Sequence, residues 1–210
     1  MVFKTALYSL LLFSFPLVAQ NLYPDQFWLI TSFKTNFHEN TFSAGYEGRW
    51  EGDDIYLNLY YAYWMIPVSK RSKISFAYKD AHFLRDSGWT KYHIPYINWF
   101  YTVPFQPFAF TLRTRFEYWI ADNIEPFTRY RPKATLKYHS PVKNITPYVD
   151  SEWFVDLNGR GLRFHRLYIG NAAVIQERLS LKVFYCLYTA LENPNWTNQN
   201  VVGTTFTVLF

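Results

Sequence analysis

Between residues 127 and 139 the chain reads FTRYRPKATLKYH. Arg129, Arg131, Lys133, Lys137 and His139 share one parity; Tyr130, Ala134, Leu136 and Tyr138 share the other. Side chains of a β-strand alternate faces with period two. The segment therefore predicts a strand with a basic face and an apolar, aromatic face. The same alternation sets Arg113, Arg115 and Glu117 against Leu112, Phe116 and Tyr118. It sets Asp150 and Glu152 against Val149, Trp153 and Val155, and Glu47 and Arg49 against Phe42, Tyr46 and Trp50. Lys182 opposes Leu181 and Val183, and Arg166 takes the polar side of its segment.

Strand-like segments fall at 26–37, 41–50, 54–65, 72–80, 90–101, 107–120, 127–139, 145–157, 161–171, 178–190 and 200–210. Turn residues separate them, such as Glu51-Gly52-Asp53-Asp54, Asn158-Gly159 and Glu192-Asn193-Pro194-Asn195. Many segments are about ten to thirteen residues long, the length of a tilted membrane-crossing strand. Ordinary globular strands are about half that. The pattern predicts an all-β, single-chain antiparallel transmembrane β-barrel. Single-chain bacterial barrels have even strand numbers, so the eleven visible segments imply about 12 strands, with 10 as the alternative. The proline-rich stretch between about 66 and 106 is where the count is hardest to read. The 191–199 segment reads as a long extracellular loop.

Energetics orients the faces. An Arg or Lys turned to lipid at mid-depth costs roughly 2–4 kcal/mol. The basic groups on 127–139 together would then cost on the order of 10 kcal/mol, comparable to a whole domain's stability. The charged parity faces inward. Trp28, Trp50, Trp64 and Trp119 lie near proposed strand ends, where an interfacial aromatic girdle is expected.

Composition fits this picture. Of 210 residues 22% are aromatic, led by Phe and Tyr, which favour strands. Residues 1–19 carry Lys4, then an apolar run broken at Pro16, and are expected to be a secretory signal peptide ahead of a barrel over 20–210. The single Cys186 excludes an internal disulfide and any Cys-cluster metal site. The formal charge of +5 is modest and spread over many strands, which argues against nucleic acid and for an anionic solute or lipopolysaccharide. The expected location is the outer membrane of a Gram-negative bacterium, in contact with its lipid and lipopolysaccharide. The last segment, VVGTTFTVLF, puts Val202, Phe206, Val208 and Phe210 on one parity. It resembles the signal read by the outer-membrane assembly machinery.

RTRFEYW (Arg113, Arg115, Glu117), Arg129-Tyr130-Arg131, PYVDSEWF (Tyr148, Glu152) and HRLYIG (Arg166, Gly170) together resemble the outer-membrane barrel family called "domain of unknown function 2490". The resemblance covers about 107–171 and continues weakly to Phe210. It implies an outer-membrane barrel and brings no activity or catalytic residues.

The candidate chemistry is an inward charge network of Arg113, Arg115, Glu117, Arg129, Arg131, Lys133, Asp150, Glu152 and Arg166. One reading is a salt-bridge network that fills a closed structural or interaction barrel. Another is a basic path that favours small anions, as charged rings do in channels. A membrane-embedded hydrolase is the third reading. His38, His82, His93, His139 and His165 form no metal-spaced motif, and no GxSxG occurs. His93 and His139 are candidates for the inner face, and Asp80-His82-Asp86 for a polar loop. No cofactor, metal or catalytic residue is assigned.

Overall fold

The computed structural model describes residues 24–122, 124–192 and 195–210; the expected signal peptide lies outside them. Among the described residues there are twelve strand segments. They are β1 (Gln26–Phe37), β2 (Asn40–Glu51), β3 (Asp54–Pro67), β4 (Ser72–Arg85), β5 (Gly88–Phe105), β6 (Phe108–Ala121), β7 (Ile124–Tyr130), β8 (Lys133–Tyr138), β9 (Ile145–Asp156), β10 (Gly161–Gln176), β11 (Leu179–Glu192) and β12 (Asn195–Leu209). All belong to one sheet, closed by pairing of β1 with β12.

The twelve segments make eleven staves. β7 and β8 both lie between β6 and β9. Glu117 faces Arg129 and, four residues along each strand, Arg113 faces Lys133, so the register runs through unchanged. Between β7 and β8 only Arg131-Pro132 interrupts the ladder, because proline has no N–H to donate. Arg131 N still reaches Arg115 O at 2.8 Å, and Trp153 N reaches Pro132 O at 3.0 Å.

Twelve segments roughly fit the expected count of about 12, but their arrangement as eleven staves corrects the even-number and all-antiparallel parts of that expectation. With an odd count of hairpin-linked staves the first and last point the same way. The seam is accordingly parallel, pairing Phe27 with Val202 and Lys34 with Leu209. The proline-rich stretch holds two strands, β4 and β5, and Pro95 is accommodated where the β5–β6 ladder skips from His93 to Tyr96. The expected long loop at 191–199 is corrected: among the described residues of that range, β11 runs to Glu192 and β12 starts at Asn195.

The outer surface carries a broad set of exposed large apolar side chains, including Phe76, Ile97, Phe116, Leu136, Val149 and Leu167. Soluble monomers rarely expose so extensive an apolar surface. Inside, two apolar clusters form. One contains Leu57, Leu59, Ala81, Tyr92 and Ile94; the other contains Trp28, Phe184, Cys186 and Val201. The second depends on Gly203, where an added Cβ would collide with the Phe184 ring. Phe184 is packed edge-on against both Trp28 and Tyr168 and has little room to turn aside. Gly203→Val is expected to destabilise the barrel by about 1–3 kcal/mol through overpacking. A lowered midpoint for heat-induced unfolding, read as a gel-mobility shift, would register it; an unchanged midpoint would contradict this packing.

Candidate functional site

Alternation on each stave directs a set of charged side chains into the lumen. On β6 the inward run is Arg113, Arg115, Glu117 and Trp119; on β7–β8 it is Arg129, Arg131, Lys133, Thr135 and Lys137; on β9 it is Tyr148, Asp150, Glu152, Phe154 and Asp156. These three neighbouring staves form a belt of ion pairs.

Glu117 sits at its centre and is 0% exposed. It accepts from Arg131 Nη1 at 2.6 Å, Lys79 Nζ at 2.7 Å, Arg115 Nη1 at 3.2 Å and Trp119 Nε1 at 3.1 Å. Arg131 also donates from Nη2 to Glu152 at 2.8 Å, and Arg113 donates to the same carboxylate. Arg129 forks onto Asp156 at 2.5 and 3.2 Å, the planar two-point geometry favoured by guanidinium and carboxylate. Lys133 pairs with Asp150 at 2.5 Å. Arg115 further donates to Asn98 Oδ1 at 2.6 Å. On the other side of the lumen Arg49 pairs with Glu47 at 2.5 Å.

Arg166 behaves differently. It is 7% exposed, yet among the described residues no carboxylate lies within ion-pair distance of it and its Nε has no hydrogen-bond partner. Its guanidinium packs over the rings of Phe154 (4.5 Å), Trp28 (4.7 Å) and Tyr188 (5.0 Å). Arg49 lies over the same Trp28 ring at 3.8 Å. The aromatic faces supply the attraction that carboxylates supply elsewhere.

Several members of the belt escaped the sequence reading. Lys79 and Asp156 are not among the expected residues, although Lys79 shares its parity with Ser75 and Ala81 against the apolar Ile74, Phe76 and Tyr78. Trp28 and Trp119 do not belong to an outer girdle. Each shares parity with a lumen residue two positions away, and its indole donates to that neighbour: Trp28 to Gln26 at 3.0 Å, Trp119 to Glu117. Trp64 does lie on the outer surface, as do Trp89, Trp99, Trp153 and Trp196.

The histidines stand apart from the belt. His93 faces outward, where its Nδ1 meets the Tyr78 hydroxyl. Asp80 and His82 are on strand β4, not in a loop; they pair at 2.8 Å, and Lys91 reaches Asp80 at 3.1 Å. Ser151 Oγ lies 3.0 Å from His165 Nε2 on the outer face, with the Trp153 ring tilted against the imidazole at 4.2 Å. That is a nucleophile–base contact in geometry. A hydrolase also needs a group to orient the base and donors for the developing oxyanion. Among the described residues no side-chain hydrogen bond reaches His165 Nδ1, and the neighbouring backbone lies within the β9–β10 ladder.

One cavity of about 1340 Å³ runs along the wall just described, lined by residues from both rims and from the belt between them. Among the described residues no cluster of His, Cys, Asp and Glu is arranged to hold a metal ion.

A family model described as "Protein of unknown function (DUF2490)" matches residues 25–199. The structure of the NanC porin in a rhombohedral crystal form is similar, with a TM-score of 0.53 and 9% identity over 74% of this chain and 78% of that one. At that identity the likeness is one of fold. No curated protein matches the sequence.

Proposed function

The chain belongs to the DUF2490 family, and from that premise we propose that it is an outer-membrane β-barrel whose basic lumen binds small anionic solutes or lets them pass. The observation that carries this reading is the charge balance of the cavity wall. Eight basic side chains line the belt and its surroundings: Arg49, Lys79, Arg113, Arg115, Arg129, Arg131, Lys133 and Arg166. Five acids face them: Glu47, Glu117, Asp150, Glu152 and Asp156. In and around the belt three positive charges remain in excess, before the Lys and Arg that line the cavity nearer its two ends are counted, inside low-dielectric walls that strengthen their field. The likeness to a porin barrel supports the same direction.

The apolar outer surface is the face that lipid and lipopolysaccharide of a Gram-negative outer membrane would cover. Phe206 and Phe210, exposed on the outer side of β12, are the segment that the assembly machinery would engage.

A second reading is favoured by the ion pairs themselves. Glu117 and Glu152 tie β4, β6, the stave shared by β7 and β8, and β9 together through bonds along the lumen wall. Such a belt can serve a closed barrel as well as a selective one. Conductance of the purified protein in a planar bilayer, under a salt gradient, separates them. Passage predicts discrete steps with a reversal potential of anion-selective sign. Folded, inserted protein without conductance would rule out passage and leave the closed barrel.

A further inference from the structure

The cations of the belt are engaged by carboxylates or aromatic rings, but four lysines at one end of the lumen are not. Lys34, Lys73, Lys137 and Lys182 lie on β1, β4, β8 and β11. With β7 and β8 sharing a stave, these are staves one, four, seven and ten of eleven, nearly even spacing around the barrel. Each lysine lies within four residues of the turn, or turn-side end, at the rim that carries Phe210. All four have inward parity: Lys34 with Trp28 and Ser32, Lys73 with Ser75, Lys137 with Lys133, and Lys182 with Phe184. Lys73, Lys137 and Lys182 are exposed to the lumen and Lys34 partly so.

Among the described residues no carboxylate lies within ion-pair distance of these four. They are close enough to act on one another. The charges of Lys73 and Lys137 act on Lys34, and those of Lys137, Lys133 and Lys34 act on Lys182, with Asp150 opposing them from beyond ion-pair distance. An eleven-stave wall has a backbone radius of roughly 11 Å at ordinary strand spacing and tilt. Lysine stems extending inward from such a wall converge on the axis. Threonines from neighbouring staves, Thr102, Thr111, Thr135, Thr146 and Thr205, add hydroxyls to the same part of the cavity.

The opposite rim differs. Glu51, Asp53, Asp54, Asp86 and Glu125 all lie in its turns or the strand ends beside them and are exposed. The mouth beside Phe210 instead adds Lys70 and Arg71, in the turn before β4. Arg85, Arg160 and Arg163 line the cavity at that opposite rim beside these carboxylates, and Glu39 and Glu177 lie in turns of the Phe210 rim, so the larger excess of positive charge is at the Phe210 mouth.

We propose that Lys34, Lys73, Lys137 and Lys182 form one oxyanion site at that mouth, for a small dissolved solute carrying two or more phosphate or carboxylate charges. The proposal rests on the anionic-solute reading and gives it a place and a ligand class. Four like charges held without an ion pair are mutually repulsive, and a multivalent anion among them relieves several repulsions at once. A monovalent anion would gain much less. A ring of point charges without the fork geometry of arginine would also accept phosphate and carboxylate alike.

The test is calorimetric titration of the full-length protein, folded in zwitterionic detergent at low salt, with pyrophosphate and separately with citrate. Both are expected to bind with one-to-one stoichiometry and to weaken steeply as salt rises. K73Q/K182Q is expected to lose at least tenfold in affinity for both, whereas R85Q/R160Q, at the other mouth, should bind as the native protein does. These lysines hold no ion pair, so their replacement should leave heat-modifiable gel migration intact. No binding by the native protein would overturn the site, as would equal affinity in K73Q/K182Q or an equal loss in R85Q/R160Q. Binding does not depend on conductance. Anion binding at the ring in a non-conducting barrel would refute passage and keep the site; conductance without binding would do the reverse.

Discussion

Replacing Glu117 with glutamine is expected to destabilise the barrel by about 3–5 kcal/mol, the usual cost of removing one partner from a buried ion network. Glutamine keeps the size and removes the charge. Glu117 is fully buried and receives Lys79, Arg115 and Arg131 together. Without it Arg131 retains Glu152, but Lys79 has no other carboxylate within ion-pair distance among the described residues. Three cations from three staves would repel one another around a fully buried position. The shift of the unfolding midpoint in urea, followed by tryptophan emission and gel mobility, measures the cost. A double variant, E117Q with K79M, should recover part of the loss, because the two residues share one interaction and are not additive. A midpoint unchanged by E117Q would mean that the belt does not hold the wall together.

The second large effect lies on the other surface. Val149 is exposed near the middle of β9 and faces Leu136 on β8, which is also exposed. On a protein dissolved in water, an arginine at Val149 would change little or improve solubility. In a bilayer it is expected to cost about 2–4 kcal/mol. Thr135→Lys, one residue from Leu136 but on the lumen side and opposite Asp150, should change stability little in the same bilayer. Urea unfolding in lipid vesicles checks both. Equal, small effects at the two positions would remove the lipid-facing assignment of the outer surface.

The contrast between Thr135 and Leu136 also shows what alternation makes legible. Parity alone sorts Arg113, Arg115 and Glu117 from Phe116 and Tyr118, and places Arg129, Arg131 and Lys133 on one face. It needs only the period of the strand, and β7 and β8 keep that period across Pro132 because their shared register does not shift. The same rule, applied through to Trp119 and Trp28, would have turned both indoles inward. Their positions near strand ends suggested an interface instead, and the parity of Glu117 and Gln26 was the better signal. The closure was not legible. An odd stave count requires β1 and β12 to run parallel, and nothing in either segment distinguishes a parallel edge from an antiparallel one. Nor could the sequence show which cation meets which carboxylate. Arg131 reaches both Glu117 and Glu152, whereas Arg166 reaches neither and rests on Trp28, Phe154 and Tyr188. Those choices depend on stagger between staves far apart in the chain. The lysine ring was hidden for the same reason: its members are 39, 64 and 45 residues apart in order, and only closure brings them to one mouth.

The central claim is that one face of each stave meets lipid and the other a water-filled, charged lumen. Adjacent positions on β8 test it most directly. In a Cys186→Ser background, T135C and L136C would each carry a bimane label in lipid vesicles. Bimane at Leu136 should be quenched by brominated acyl chains and shielded from iodide, while bimane at Thr135 should be quenched by iodide and untouched by the brominated lipid. Iodide quenching both labels alike, with no effect of the brominated chains on either, would contradict the account.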